Sequence, residues 1–179
     1  MTAPARPPGS PAQLAPRRSL TGLDFFRRMI AGELPPPPLV QLLGLRMVEA
    51  DEGRVVFTAE PAEQHYNGMG VVHGGLAAAL LDSALGCAIN SAMPAGKRFT
   101  TLELKINYTR PMTSAVGTVR CEAKVIHVGN RVATAEARVV DRKGKLYAHG
   151  TTTCIAVESP DGTERTPVKS RSRHEPGSL

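Results

Sequence analysis

Tryptophan is absent from this chain, and aromatic residues make up only 4% of its 179 residues. The core must therefore be built from Val, Leu, Ile and Ala, and there are few rings on which nucleic-acid bases could stack. Cysteine is also sparse. Cys87, Cys121 and Cys154 form no close pair, which argues against a disulfide scaffold and a zinc module and for a reducing, cytoplasmic compartment. The N-terminus has no apolar stretch of the kind a secretory signal needs. No Gly-x-Ser-x-Gly elbow, phosphate-binding loop or dinucleotide fingerprint occurs.

The net charge of +6 resembles a nucleic-acid signal until it is divided. Residues 1–20 carry Arg6, Arg17 and Arg18 and no acid, residues 158–179 balance four bases against four acids, and the middle holds 15 bases and 12 acids. Half the excess lies on a proline-rich arm and the rest forms no basic stripe, so nucleic acid is not the expected partner. A mildly basic core does suit a small phosphorylated ligand. One stretch, Gly74 to Met93, has the length and composition to mimic a membrane span. Asp82 near its centre would cost a few kcal/mol in a bilayer, and the expected reading is a helix buried on nearly all sides inside a globular domain, with no membrane partner.

Four segments are expected. Residues 1–18 hold five prolines and read as a disordered arm. Residues 19–38 read as a helix, with Thr21 as N-cap and Asp24 three residues on, followed by the stiff Pro35–Pro38 linker. Residues 39–157 form the main domain, and residues 158–179 a polar tail. Within the main domain a short helical piece, Leu39–Leu43, ends at Gly44. Period-two alternation then marks strands through Val55, Phe57 and Ala59, then after the long helix through Leu102, Leu104, Ile106 and Tyr108, through Val119, Cys121, Ala123 and Val125, and through Ala133, Ala135, Ala137 and Val139. Gly129-Asn130 and Lys143-Gly144 fall between runs as hairpin turns, and a last strand covers about Lys145–Val157. The four strands after the helix are expected in meander order. Their half-polar character implies an antiparallel sheet whose drier face packs on the helix, an α+β architecture.

The chemistry is expected where His65-Tyr-Asn-Gly-Met-Gly-Val-Val-His73-Gly74-Gly75 runs into the long helix. Glycines before a helix leave its first amides bare, and those amides with the helix dipole favour developing negative charge, an oxyanion or a phosphate. Asn67 and His73 add side-chain donors; equally, the glycines could simply turn the chain and His73 could cap the helix. Asp82 has Ala78, Ala79, Leu85 and Gly86 as same-face neighbours. A carboxylate buried there with no local partner is costly, and its pKa is expected to rise toward that of a general base. Gly74 and Asp82 are eight residues apart, about 12 Å along one helix. One small electrophile cannot touch both in one chain, so the site is expected to span a dimer interface. Thr100 or Thr101 could hold a water. His65, His127 and His149 show no metal-ligand spacing and read as surface or sheet histidines, and Cys87 as core. No metal is expected.

Together, Asn67-Gly-Met-Gly-Val-Val-His73-Gly74-Gly75, Leu81-Asp82-Ser-Ala-Leu-Gly86, Leu102-Glu-Leu-Lys-Ile-Asn107-Tyr108-Thr-Arg110-Pro111 and Val128-Gly129-Asn130-Arg131-Val-Ala-Thr-Ala-Glu resemble the hotdog-fold thioesterases of the phenylacetate-pathway type, over roughly residues 39–157. The resemblance implies a long helix wrapped by a curved antiparallel sheet, paired into a homodimer and often a homotetramer. It implies hydrolysis of an acyl-CoA thioester with no cofactor beyond the coenzyme A of the substrate. Asn67 and the Gly74 amide would polarise the carbonyl. Asp82 of the partner subunit would activate water or act as nucleophile, and Thr101 would hold that water. His73 would shape the Asn67 loop. Arg131, Arg110 and Gly75 would contact coenzyme A, the arginines by pairing with phosphates. The helix and prolines of residues 19–38 are additions to the minimal pattern. A non-hydrolytic acyl-CoA or acyl-carrier binding protein, and a dehydratase or hydratase on the same fold, are the competing functions.

Overall fold

The computed structural model describes residues 20–158. The arm and nearly all of the tail expected at 1–18 and 158–179 lie outside the described residues, apart from Glu158, which ends the last strand. Helix α1 (Gly22–Ile30) opens as its capping signal predicts: Thr21 Oγ1 accepts the Asp24 N–H at 3.1 Å. Phe25 and Phe26, packed edge to face at 5.8 Å, are the buried face of α1. Its first residue must be glycine because a Cβ on Gly22 would sit 1.7 Å from the Asn90 carbonyl oxygen. Helix α2 (Pro38–Leu42) starts with proline at its first helical position, where no N–H is needed, and stops before Gly44 at φ +64°.

Helix α3 (Gly74–Ser91) is buried along most of its length, with Ala77, Leu81, Ala84, Leu85, Ala88 and Ile89 fully inaccessible. No described helix is long and apolar enough to cross a membrane. Six antiparallel strands wrap α3: β1 (Arg46–Asp51), β2 (Arg54–Ala59), β3 (Lys97–Tyr108), β4 (Val119–Val128), β5 (Val132–Val140) and β6 (Leu146–Glu158). The alternating positions of β4 and β5 do face the helix: Val119, Cys121, Ala123, Ala133, Ala135, Ala137 and Val139 are all buried. Both expected hairpin turns are present, with Gly129 N–H bonded to Val132 O and Gly144 at φ +78°.

Two expectations on strand placement are corrected. The sheet order is β1-β2-β4-β5-β6-β3, so only β4, β5 and β6 form a meander. Helix α3 carries the chain across the sheet and delivers β3 to the far edge beside β6, leaving β2 to pair with β4. Alternation reports which face a residue takes, not which strand lies beside it. Nor is Leu102 an inward residue. The β3–β6 register shifts between Thr101 and Glu103, and Leu102 at that irregularity is 64% exposed. Tyr108 at the end of the strand is 55% exposed.

Helix α3 and strand β3 run antiparallel and are joined at Asn90, Asp82 and Gly74 of the helix. Asn90 Nδ2 donates to Phe99 O at 3.1 Å and Asn90 Oδ1 accepts from Phe99 N at 3.0 Å, so its amide imitates a neighbouring strand. Thr101 contacts Asp82, and Tyr108 contacts Gly74.

Candidate active site

The loop before α3 is closed by a bridge between Tyr66 and Val72. Inside it the Asn67 N–H donates to Val71 O at 2.8 Å, and Asn67 O accepts from Gly70 N at 3.1 Å. Asn67 Oδ1 accepts from the Met69 N–H at 2.9 Å, an Asx turn. With its oxygen used in this way, the side chain is left with the two protons on Nδ2, and no described residue accepts them. The loop is tied to the segment after β3 at two points. The Val72 N–H donates to Met112 O at 2.9 Å, and the Tyr66 hydroxyl accepts the Ser114 N–H at 2.9 Å.

His73 is the N-cap of α3. Its Nδ1 accepts the Gly75 N–H at 2.8 Å, its own N–H donates to His65 O at 2.7 Å, and its carbonyl accepts from Leu76 N at 3.0 Å. The capping alternative is therefore what the structure contains, and a neutral His73 in this arrangement carries its proton on Nε2. His65 has a parallel duty, its Nδ1 accepting the Ala62 N–H at 3.0 Å. The Gly75 N–H is engaged by His73, so a substrate contact at Gly75 falls to its exposed Cα. The Gly74 N–H has no acceptor among the described residues. Gly74 N–H and Asn67 Nδ2 are thus two donors without an acceptor among the described residues, the first at the positive end of an 18-residue helix.

Asp82 lies two turns further along α3. It is half-buried in the single chain, not enclosed, and it has a partner: Thr101 Oγ1 donates to Asp82 Oδ1 at 2.9 Å. The expectation of a buried carboxylate is corrected to a half-buried one, while the absence of a local partner holds. The partner is 19 residues away on another element, out of reach of any helical spacing rule. Cys154 faces Thr101 across the β3–β6 register and is fully buried. Burial pushes its thiol pKa up, and the Asp82 charge adds to the effect.

The two arginines are not neighbours in one chain. Arg110 follows β3 at the Gly74 end, and its Nη1 donates to Leu146 O at 2.8 Å. Arg131 is in the β4–β5 turn, where its carbonyl accepts from Ala156 N at 2.8 Å. The β6 residues beside them, Ala148 and Ile155, are about 23 Å apart along the strand. Sequence reasoning missed Tyr108 and Tyr66 as site residues. Both are far in sequence from what they touch, and a tyrosine at the end of an alternating run carries no local signal of its partner.

One long helix packed against a six-stranded curved antiparallel sheet is the hotdog fold. The sequence model of the thioesterase superfamily matches residues 69–148. A Halobacterium salinarum protein named "Putative esterase" is 36% identical over 128 residues, covering 68% of this chain and 83% of that protein. A 1,4-dihydroxy-2-naphthoyl-CoA hydrolase of Listeria monocytogenes is 26% identical over 108 residues, covering 60% of this chain and 86% of that one. A solved structure of a phenylacetic acid degradation-related thioesterase from Ralstonia eutropha superposes with a TM-score of 0.66 at 28% identity, over 73% of this chain and 98% of that chain. The chain belongs to the thioesterase superfamily and is a hydrolase of the PaaI-like type.

Proposed function

We propose that the chain hydrolyses small to medium acyl-CoA thioesters, aromatic acyl groups included. The carrying observation is the pair of unengaged donors, Asn67 Nδ2 and Gly74 N–H, at the start of α3. They receive the thioester carbonyl oxygen as it gains negative charge. Asp82 Oδ1 is occupied by Thr101, so Oδ2 is the oxygen that takes a proton from water. The water oxygen bonds to the thioester carbon, the carbon–sulfur bond breaks with its electron pair on sulfur, and the sulfur takes the proton held by Asp82. A direct attack by Asp82 on the carbonyl is the variant of this scheme, with water then cleaving the mixed anhydride.

Gly74 and Asp82 of one chain are about 12 Å apart along α3, so each site takes Asp82 from the partner subunit. The outer side of β3 supports this. It is the sheet edge, 12 residues long, with Leu102 exposed, and a long unpaired edge strand calls for a partner. A second copy running antiparallel along that edge places the Arg110 end of one chain beside the Arg131 end of the other, so both reach one coenzyme A. A pair of such dimers makes the homotetramer. The reaction uses water, with no metal or cofactor beyond the coenzyme A of the substrate, and a cytoplasmic enzyme would meet that substrate.

A non-hydrolytic acyl-CoA or acyl-carrier binding protein is the second reading. Asp82 held by Thr101 beside an oxyanion site favours turnover, because a binder gains nothing from the acid. Initial rates of thiol release from short to long and aliphatic to aromatic acyl-CoAs test the choice. Saturable release from at least one ester, collapsing in Asp82→Asn, is expected. Binding without release from any ester would overturn the thioesterase reading.

A further inference from the structure

We propose that Tyr108 is a positioning residue for the oxyanion site, acting through the peptide group between Gly74 and Gly75; the inference rests on Gly74 N–H being the oxyanion donor. The Tyr108 hydroxyl donates to Gly74 O at 3.2 Å. The N–H at the other end of the same peptide belongs to Gly75 and is held by His73 Nδ1 at 2.8 Å. One peptide group is therefore gripped at both ends, by a strand residue and by the helix cap.

Glycine's conformational freedom explains why the grip matters. Two glycines in succession leave a helix start free to swing, and a swinging amide is a poor preorganised donor. A side chain at either glycine would crowd the groups that hold the peptide. A Cβ on Gly74 would lie 3.2 Å from Tyr108 Cε1 and Cζ, and a Cβ on Gly75 would lie 2.9 Å from His73 Nδ1. Rigidity must come from outside the backbone. The peptide before Gly74 is held by His73 O accepting from Leu76 N, and the peptide after it by Tyr108 and His73. The direction of the Gly74 N–H follows from those two planes.

Tyr108 also lies on the strand that carries Thr101. Strand β3 thus orients the donor of one active site through Tyr108 and the carboxylate of the other through Thr101.

The test is Tyr108→Phe in the full chain, which keeps the ring and removes the hydroxyl. Expected are a kcat about tenfold lower, an unchanged KM, a thermal midpoint within about 2 °C of wild type, and Gly75 amide hydrogen exchange at least about tenfold faster. Normal kcat with normal Gly75 exchange would overturn the proposal. The exchange measurement needs no turnover, so failure of the grip shows as unchanged Gly75 exchange, whereas failure of the thioesterase reading shows as no hydrolysis by the wild-type chain. A second arm covers misfolding of Tyr108→Phe. Gly74→Ala/Tyr108→Ala should be no less active than Tyr108→Ala alone, because removing the ring removes the clash. Independent, additive losses in that double-mutant cycle would also overturn it.

Discussion

Thr101 Oγ1 donates to Asp82 Oδ1 at 2.9 Å, so the hydroxyl orients the carboxylate to which the proposed reaction assigns the proton transfer. Asp82→Asn is expected to cost about 10²-fold or more in kcat/KM if Asp82 is the base. Thr101→Val removes one hydrogen bond and should cost about tenfold, whereas Thr101→Ser should stay within about threefold of wild type. Initial rates of thiol release rank the three. A Thr101→Val enzyme at wild-type rate would remove Thr101 from the site.

Two inactive variants should restore each other. Gly74→Ala crowds the donor against Tyr108 and Asp82→Asn lacks the carboxylate, so a mixed dimer retains one intact site of two. With random exchange, half the dimers are mixed and recovered activity approaches about a quarter of wild type. A mixture no more active than its components would place donor and carboxylate in one chain.

The cap at the start of α3 also has a stability role, read apart from activity by thermal denaturation. His73→Ala leaves the Gly75 N–H without its acceptor, and loss of such a cap costs about 1 kcal/mol. Thermal denaturation should show a drop of about 3 °C. His73→Asn, which restores a capping oxygen, should recover most of it.

Acid should separate a surface ion network from the rest of the molecule. Glu49 accepts from Arg120 Nη1 and Arg54 Nη2, each at 2.7 Å, and the two guanidinium groups, Arg120 first, hold its pKa at about 2 in place of 4.5. Its folded pKa is below its unfolded one, so its contribution to stability is complete above about pH 4.5 and is lost as pH falls through about 2. The Glu49 side chain is 41% exposed, and screening limits the effect to about 0.5–1 kcal/mol. Urea unfolding should find Glu49→Gln less stable by that amount at pH 7 and equal to wild type below about pH 2.

The long helix, its capping histidine, the bare glycines and the strands were legible because each leaves a local pattern: small apolar residues for α3, alternation for β4 and β5, turn glycines between them. The placement of β3 was not legible, since alternation along Leu104 and Ile106 is the same whichever strand lies alongside. Asp82 stood out as an acid on an apolar helix, but its contact with Thr101 and the contact of Tyr108 with Gly74 depend on how α3 lies against β3. Both contacts span long stretches of sequence, and only the packed structure brings them within 3.2 Å.

Asn90 serves two masters. Its side-chain amide anchors the start of β3, while its backbone carbonyl lies directly beneath Gly22 of α1, whose N–H reaches Met93 O at 3.4 Å. The N-terminal helix is consequently not a detachable appendage to the domain. It is fastened to the residue whose side chain anchors the start of β3, so helix, strand and N-terminal segment share one point of attachment.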